Sequence, residues 1–98
     1  MTKKFVISTD PLTAAETEAL KDVIRPASWW HWLPNFWLVK DTKDELTAES
    51  IRDSIKRINT TARCVVLEVE PGTWAALTKK DAQGRDMGSW LKSTWSND

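Results

Sequence analysis

The stretch Trp29-Trp-His-Trp-Leu-Pro-Asn-Phe-Trp-Leu-Val-Lys40 constrains the fold more than any other part of the chain. It consists of two β-prone runs, residues 29–33 and 36–40, separated by Pro34 and Asn35. A tight hairpin turn of the usual kind needs positive φ at both central residues, which proline does not adopt. The segment therefore predicts one long bent strand, or a wide turn, with Pro34 on a sheet edge.

The residues before this stretch predict a strand followed by a helix. Residues 4–9 are β-prone and end at the turn signal Asp10-Pro11. Thr13 and Glu16 have the spacing of a capping box, in which each side chain bonds the other residue's backbone N–H. This box predicts a helix over residues 13–25.

The residues after it predict a second helix and more strands. Thr47 is the expected N-cap, and Ile51, Ile55 and Ile58 then form an apolar stripe at helical spacing. The remaining predicted elements are a central strand at 63–70, a fourth strand at 73–77, a polar loop at 79–86 and a last helix at 87–95. Together they predict a single α+β domain over residues 1–98, a two-layer ferredoxin-like sandwich with an antiparallel sheet and its helices on one face.

Composition narrows the class of protein. The chain has 98 residues, 14 Lys and Arg against 14 Asp and Glu, and one Cys. This balance gives no electrostatic argument for binding a polyanion, and a single Cys excludes an internal disulfide and a thiolate zinc site. No signal-peptide pattern opens the sequence and no apolar stretch is long enough to span a bilayer, so we expect a cytoplasmic protein without membrane association.

The aromatic residues are unevenly placed: of seven Trp and two Phe, five lie between positions 29 and 37. On a strand, Trp30 and Trp32 share one face while Trp29 and His31 share the other, so one pair lies away from the helix-covered face. Two interpretations remain, a homodimer interface enriched in Trp or a platform on which bases stack. The candidate ligand-binding residues of this segment are Trp30, His31, Trp32 and Asn35, with a half-buried strand position as the alternative for His31.

Two further sets of residues are candidates for binding. Arg52 and Arg57, with Lys56 and Arg63 beside them, lie on the outer side of the second predicted helix and either contact phosphates or form a solvated face. Asp10 closes the first strand. Its carboxylate either holds a hard cation such as Mg²⁺ or forms the turn before Pro11.

The succession of these segments resembles the SinR-like family. The resemblance lies in a first strand ending in Asp10, in the segment Ser28–Val39, in Leu46-Thr-Ala-Glu-Ser-Ile-Arg-Asp53, and in the terminal Gly88-Ser-Trp-Leu-Lys92. Members are related to the compact CRISPR-associated adaptation endonucleases and to virulence-associated protein D. The resemblance implies a ferredoxin-like monomer, a homodimer formed largely through sheets, and contact with double-stranded nucleic acid.

The resemblance also assigns a role to Asp10. In the nuclease relatives an Asp at the end of the first strand lies near the dimer axis and holds a divalent metal, and Asp10 matches that position. Where those relatives often have Ser followed by an aromatic residue, this chain has Asn35-Phe36. We expect a small dimeric protein of bacterial or phage origin that binds nucleic acid or nucleotides. The alternatives are a Mg²⁺-dependent endonuclease acting through Asp10, or a non-catalytic protein-interaction domain.

Overall fold

A computed structural model describes residues 2–70 and 89–95, apart from the side chain of Trp32. The elements in chain order are β1 (Lys3–Thr9), α1 (Ala14–Ile24), β2 (Ser28–Leu33), β3 (Phe36–Asp41), α2 (Ala48–Ile58), β4 (Cys64–Val69) and a C-terminal helix of π type (Leu91–Trp95). The strand predicted for 73–77, the loop at 79–86 and the start of the helix predicted for 87–95 lie outside the described residues. None of the helices in the described part of the chain has the length and apolar composition needed to cross a bilayer.

The four strands form one antiparallel sheet in the order β2-β3-β1-β4. One face packs against α1 and α2, and the two-layer α+β sandwich predicted from the sequence is confirmed. The core of this face consists of buried side chains from the sheet and both helices, among them Phe5, Ile7, Leu20, Ile24, Trp37, Val39, Ile51 and Ile55. The C-terminal helix covers part of the opposite face, where Leu91 and Trp95 pack on Trp30 and Leu38.

The segment from 28 to 41 is a tight hairpin, and the prediction of one bent strand or a wide turn is wrong. β2 and β3 are joined by two residues, and Leu33 pairs directly with Phe36. Of the two turn residues, only Asn35 has positive φ, at 63°, while the ring of Pro34 holds its φ negative. Proline at the first central position and Asn with positive φ at the second are the requirements of a type II turn, which the sequence reasoning did not consider.

A bulge interrupts the hairpin above its turn. Trp30 pairs with Leu38 and Leu33 with Phe36, so that His31 and Trp32 together oppose Trp37. Such a bulge adds local twist and redirects the side chains of the bulged strand. His31 lies on the helix-covered side of the sheet, against the ring of Trp37.

The helix starts follow the sequence closely. Thr13 and Glu16 form the predicted capping box of α1, and Thr47 caps α2 with Ser50 completing the reciprocal pair. The connection before α2 depends on Asp41, the last residue of β3. Asp41 is fully buried and its carboxylate accepts hydrogen bonds from the backbone N–H groups of Lys43, Glu45 and Leu46.

Candidate functional site

A cleft of about 360 Å³ opens between the β2–β3 hairpin, the end of β1 and the start of α1. We call it the hairpin cleft; its lining residues are Thr9, Leu12, Thr17, His31, Leu33, Pro34, Asn35 and Trp37. The volume is near the lower end of the range for small-molecule sites, about 300–1,000 Å³. It therefore suits a ligand with one or two rings better than a long chain.

His31 is held in a defined orientation at the cleft. Its ring stacks on the indole of Trp37 with the centroids 3.5 Å apart and the planes within 3° of parallel. Its Nδ1 lies 2.9 Å from the backbone carbonyl oxygen of Phe36. Because that oxygen can only accept, Nδ1 must donate, which leaves Nε2 without a hydrogen in the neutral ring. No residue of the described chain bonds to Nε2.

The surroundings of His31 keep its ring uncharged. Burial lowers the pKa of His31, the Phe36 carbonyl opposes that shift, and the positive charge of Lys21 lowers the pKa further. Lys21 itself pairs with Glu18 and lies 5.4 Å from the ring centroid of Trp29. With its pKa below the ordinary value of 6.5, His31 is neutral at physiological pH and presents Nε2 as an acceptor.

Thr9 contributes a buried polar atom to the same cleft. The residue is 8% exposed, and its Oγ1 has no hydrogen-bond partner among the described residues. A buried hydroxyl without a partner costs about 1–3 kcal/mol, so it calls for an explanation such as a bound molecule. Its backbone is fixed, since the N–H of Thr9 donates to the carbonyl of Asn35 at 2.9 Å.

The chemistry of the cleft follows from what lines it. Among the described residues of the lining, none is charged when His31 is neutral. Leu12, Leu33 and Pro34 supply apolar walls, whereas Thr9 and His31 bring polar side chains to the lining, with the Thr9 hydroxyl buried in the wall of the cleft. The cleft can therefore hold an uncharged, partly apolar ligand that has hydrogen-bond donors. Among its described lining residues, no nucleophile is hydrogen-bonded to a base.

Asp10 lies beyond the cleft and is engaged by Arg63. Its carboxylate accepts from the Arg63 side chain at 2.9 and 3.1 Å and from the Arg63 backbone N–H at 2.8 Å. Hydrogen bonds from the Arg63 side chain, then from its backbone, lower the pKa of Asp10. Together with the bond from the Asp10 N–H to the Arg63 carbonyl, these contacts join the end of β1 to the start of β4.

This arrangement does not fit a Mg²⁺ site within one chain. Both oxygens of the Asp10 carboxylate are already bonded to a cation, Arg63, which a metal would have to displace. The described residues contain no group of three or more His, Cys, Asp or Glu side chains placed to hold a metal ion. Mg²⁺ prefers octahedral coordination by oxygen, and a single carboxylate that is already bonded to Arg63 does not provide such a ligand set.

The other candidate residues are scattered around the fold. Trp30 is 4% exposed and lies under the C-terminal helix, on the opposite face of the sheet from the cleft. Arg52 is exposed and bonded to Asp53, and Arg57 donates to the Ser54 hydroxyl. Of the residues singled out from the sequence, the structure brings only His31 and Asn35 together at the cleft. The side chain of Trp32 lies outside the described part.

Sequence reasoning missed Thr9, Leu12 and Thr17 as lining residues. Thr9 ends β1 and is brought next to the hairpin by strand pairing. Leu12 and Thr17 precede and enter α1, and only the docking of this helix on the sheet brings them there. No pattern in the sequence distinguishes the Thr9 hydroxyl from that of an ordinary strand residue. The sequence did draw attention to this end of β1, but through the neighbouring Asp10, which was a candidate metal ligand.

Comparison of the chain with protein-family models, with curated proteins and with solved structures found no match. The resemblance to the SinR-like family stays a prediction from the sequence.

Proposed function

We propose that this chain is a small nucleic-acid- or nucleotide-binding protein, and that its ligand enters the hairpin cleft and leaves it chemically unchanged. The observation that supports this best is that Thr9 and His31 line one cleft with apolar walls, and that the Thr9 hydroxyl and the His31 Nε2 have no partner among the described residues. Among the described lining residues, no nucleophile is hydrogen-bonded to a base, so we favour binding over catalysis.

The proposal favours binding over nuclease activity. A metal-dependent endonuclease would need the Asp10 carboxylate to be available, and Arg63 occupies both of its oxygens. A protein-interaction domain needs no polar cleft at all. The alternative reading of the molecule as an interaction domain therefore makes a different prediction, namely that neither nucleotides nor oligonucleotides bind.

Titration followed by the intrinsic fluorescence of tryptophan tests the proposal, because the cleft is lined by Trp37. The probes are adenosine monophosphate, uridine monophosphate and short single-stranded oligonucleotides of mixed sequence. We expect saturable binding to the wild type, weakened in Thr9→Val, which keeps the shape of the side chain and removes the hydroxyl. Ser8→Ala is the matched control, since Ser8 is the neighbouring residue and points to the other face of the sheet. Absence of binding by every probe would refute the proposal.

Assembly into a homodimer is the second part of the proposal. The sequence suggested a dimer because the segment 29–37 has more aromatic surface than one helix layer covers. That argument is weakened, since the C-terminal helix buries Trp30 within a single chain. Support for the dimer comes instead from Val65 and Leu67, which are 56% and 52% exposed. Both lie on β4, which is at one end of the order of described strands. Sedimentation that detects only an 11.2 kDa species would rule the dimer out.

A further inference from the structure

We propose that the hairpin cleft recognises an unpaired nucleobase by an N–H donor of the base, and that phosphate contributes little to recognition. This inference rests on the proposed function and names the part of the nucleotide that the cleft takes. It concerns the polar atoms at the two sides of the cleft, on β1 and on β2.

The argument begins with the hydrogen bond that His31 already makes. Since Nδ1 donates to the Phe36 carbonyl, the free Nε2 accepts, and its partner must be a donor. Turning the ring over would keep the stack on Trp37, but it would replace Nδ1 by a ring carbon and lose the hydrogen bond to the Phe36 carbonyl. The phosphodiester of a nucleic acid offers only acceptors, so it cannot satisfy this atom, whereas every nucleobase has at least one N–H.

The second step concerns the Thr9 hydroxyl. It can donate or accept, and it has no partner in the described chain although it is buried. A base edge that presents an N–H beside a ring nitrogen or carbonyl offers one group for His31 and one for Thr9. The two protein atoms come from different strands, and the bond from the Thr9 N–H to the Asn35 carbonyl fixes the end of β1 to the hairpin turn.

The third step is the absence of a cation among the described residues of the lining. Phosphate sites in proteins use Arg, Lys or a row of backbone N–H groups, and the described lining supplies no Arg or Lys. Its walls, formed by Leu12, Leu33 and Pro34, suit the apolar faces of a ring. In a duplex the N–H donors of the Watson–Crick edges are already paired, so the cleft requires a free nucleoside or an unpaired base.

Matched pairs of nucleosides test the inference: adenosine against N6,N6-dimethyladenosine, and uridine against 3-methyluridine. Methylation removes the N–H donor and leaves the ring. We expect the methylated member of the preferred pair to bind about tenfold or more weakly, because a site built around a hydrogen bond rejects an analogue that lacks it. In Thr9→Val the affinity for the unmethylated nucleoside should fall, and in Ser8→Ala it should not. Inorganic phosphate should not compete, and adding a 5′-phosphate to the nucleoside should change its affinity little.

The outcomes separate this inference from the proposed function. If nucleotides and oligonucleotides bind but nucleosides do not, or if methylated and unmethylated nucleosides bind equally, the inference is wrong and the proposed function stands. If a duplex binds as well as a single strand of the same sequence, recognition of an unpaired base is wrong as well. If no nucleoside, nucleotide or oligonucleotide binds, both are refuted. Circular dichroism of Thr9→Val against the wild type establishes that a loss of binding is not a loss of fold.

Discussion

Trp30 and His31 are neighbours on one strand, and their side chains lie on opposite faces of the sheet in different surroundings. Trp30 packs under Leu91 and Trp95 of the C-terminal helix and is 4% exposed. His31 stacks on Trp37 beside a cleft that retains a polar atom without a partner in the described chain. The surroundings of Trp30 are closed by apolar contacts, whereas the described surroundings of His31 retain hydrogen-bonding capacity that folding has not used.

The largest expected effect is a difference in the free energy of unfolding between variants of Trp30 and of His31. Trp30→Ala should lower the free energy of unfolding by about 3–5 kcal/mol, the usual cost of removing a buried Trp side chain. His31→Ala removes one ring stack and one hydrogen bond at a partly exposed position and should cost about 1 kcal/mol. Urea unfolding at neutral pH measures both. Equal losses would contradict the assignment of Trp30 to a closed core and His31 to an open site.

Ligand binding should show the reverse order. His31→Ala removes the acceptor and should abolish nucleoside binding. Trp30→Ala, tested at a temperature where it is still folded, should bind as the wild type does. If Trp30→Ala loses binding while remaining folded, the base contacts the opposite face, and the stacking platform, one of the two interpretations of the sequence, would be the better account.

The next effect is the pH dependence of binding. Burial, and after it the charge of Lys21, lowers the pKa of His31 from its ordinary value of 6.5, against the opposing effect of the Phe36 carbonyl. Because the neutral ring accepts the donor of the ligand, affinity should be constant above pH 6.5 and fall by about tenfold per pH unit once the pH is below the lowered pKa. Calorimetry over this range measures it. Affinity that rises on acidification would mean that protonated His31 binds an anion.

The same protonation couples to folding. A histidine whose pKa is lower in the folded state takes up its proton more readily when unfolded, so its contribution to stability is complete above pH 6.5 and is lost as the pH falls through the lowered value. His31→Phe keeps a ring against Trp37 and removes the titration. Its stability should therefore depend less on pH than that of the wild type over this window.

Local signals in the sequence predicted the helices well, and for a physical reason. The capping boxes at Thr13 and Thr47 depend on residues within four positions, so the sequence contains them in full. The hairpin was missed although its signal was also local, because only turns with two positive φ values were considered and Asn35 needs only one.

The site was harder to predict because it depends on packing. His31 and Asn35 were identified as candidates from the aromatic segment, but their partner Thr9 is placed by strand pairing and by a bond to the hairpin turn. The strand at 63–70 was expected to be central because its first half is apolar on both faces. β4 lies at one end of the order of described strands, and the strand predicted at 73–77 lies outside the described residues. Local sequence determines neither what surrounds a hydroxyl in the folded chain nor which strand pairs with which.

A smaller effect is expected at Asp10, which separates a structural carboxylate from a metal ligand. Asp10→Asn should lower the stability at neutral pH, since the ion pair with Arg63 is lost, and should leave nucleoside affinity unchanged. The Arg63 contacts lower the pKa of Asp10, so the difference from wild type should be present above pH 3.8 and disappear as the pH falls below that value. Magnesium and EDTA should alter neither protein. Magnesium-dependent cleavage of nucleic acid that is lost in Asp10→Asn would instead establish the endonuclease.

The smallest effect concerns salt and the basic residues of α2. Arg52 is bonded to Asp53 and Arg57 to Ser54, and neither lines the cleft. Since an uncharged nucleoside neutralises no phosphate, its affinity should be nearly the same at low and moderate salt, in the wild type and in an Arg52→Gln, Arg57→Gln double variant. An oligonucleotide is the contrasting ligand. If its affinity falls with a log–log slope of about 0.7 per phosphate contacted, and that slope decreases in the double variant, α2 contacts the strand while the cleft holds a base. If the slope is unchanged, these two arginines form a solvated face, and any phosphate contacts come from other residues.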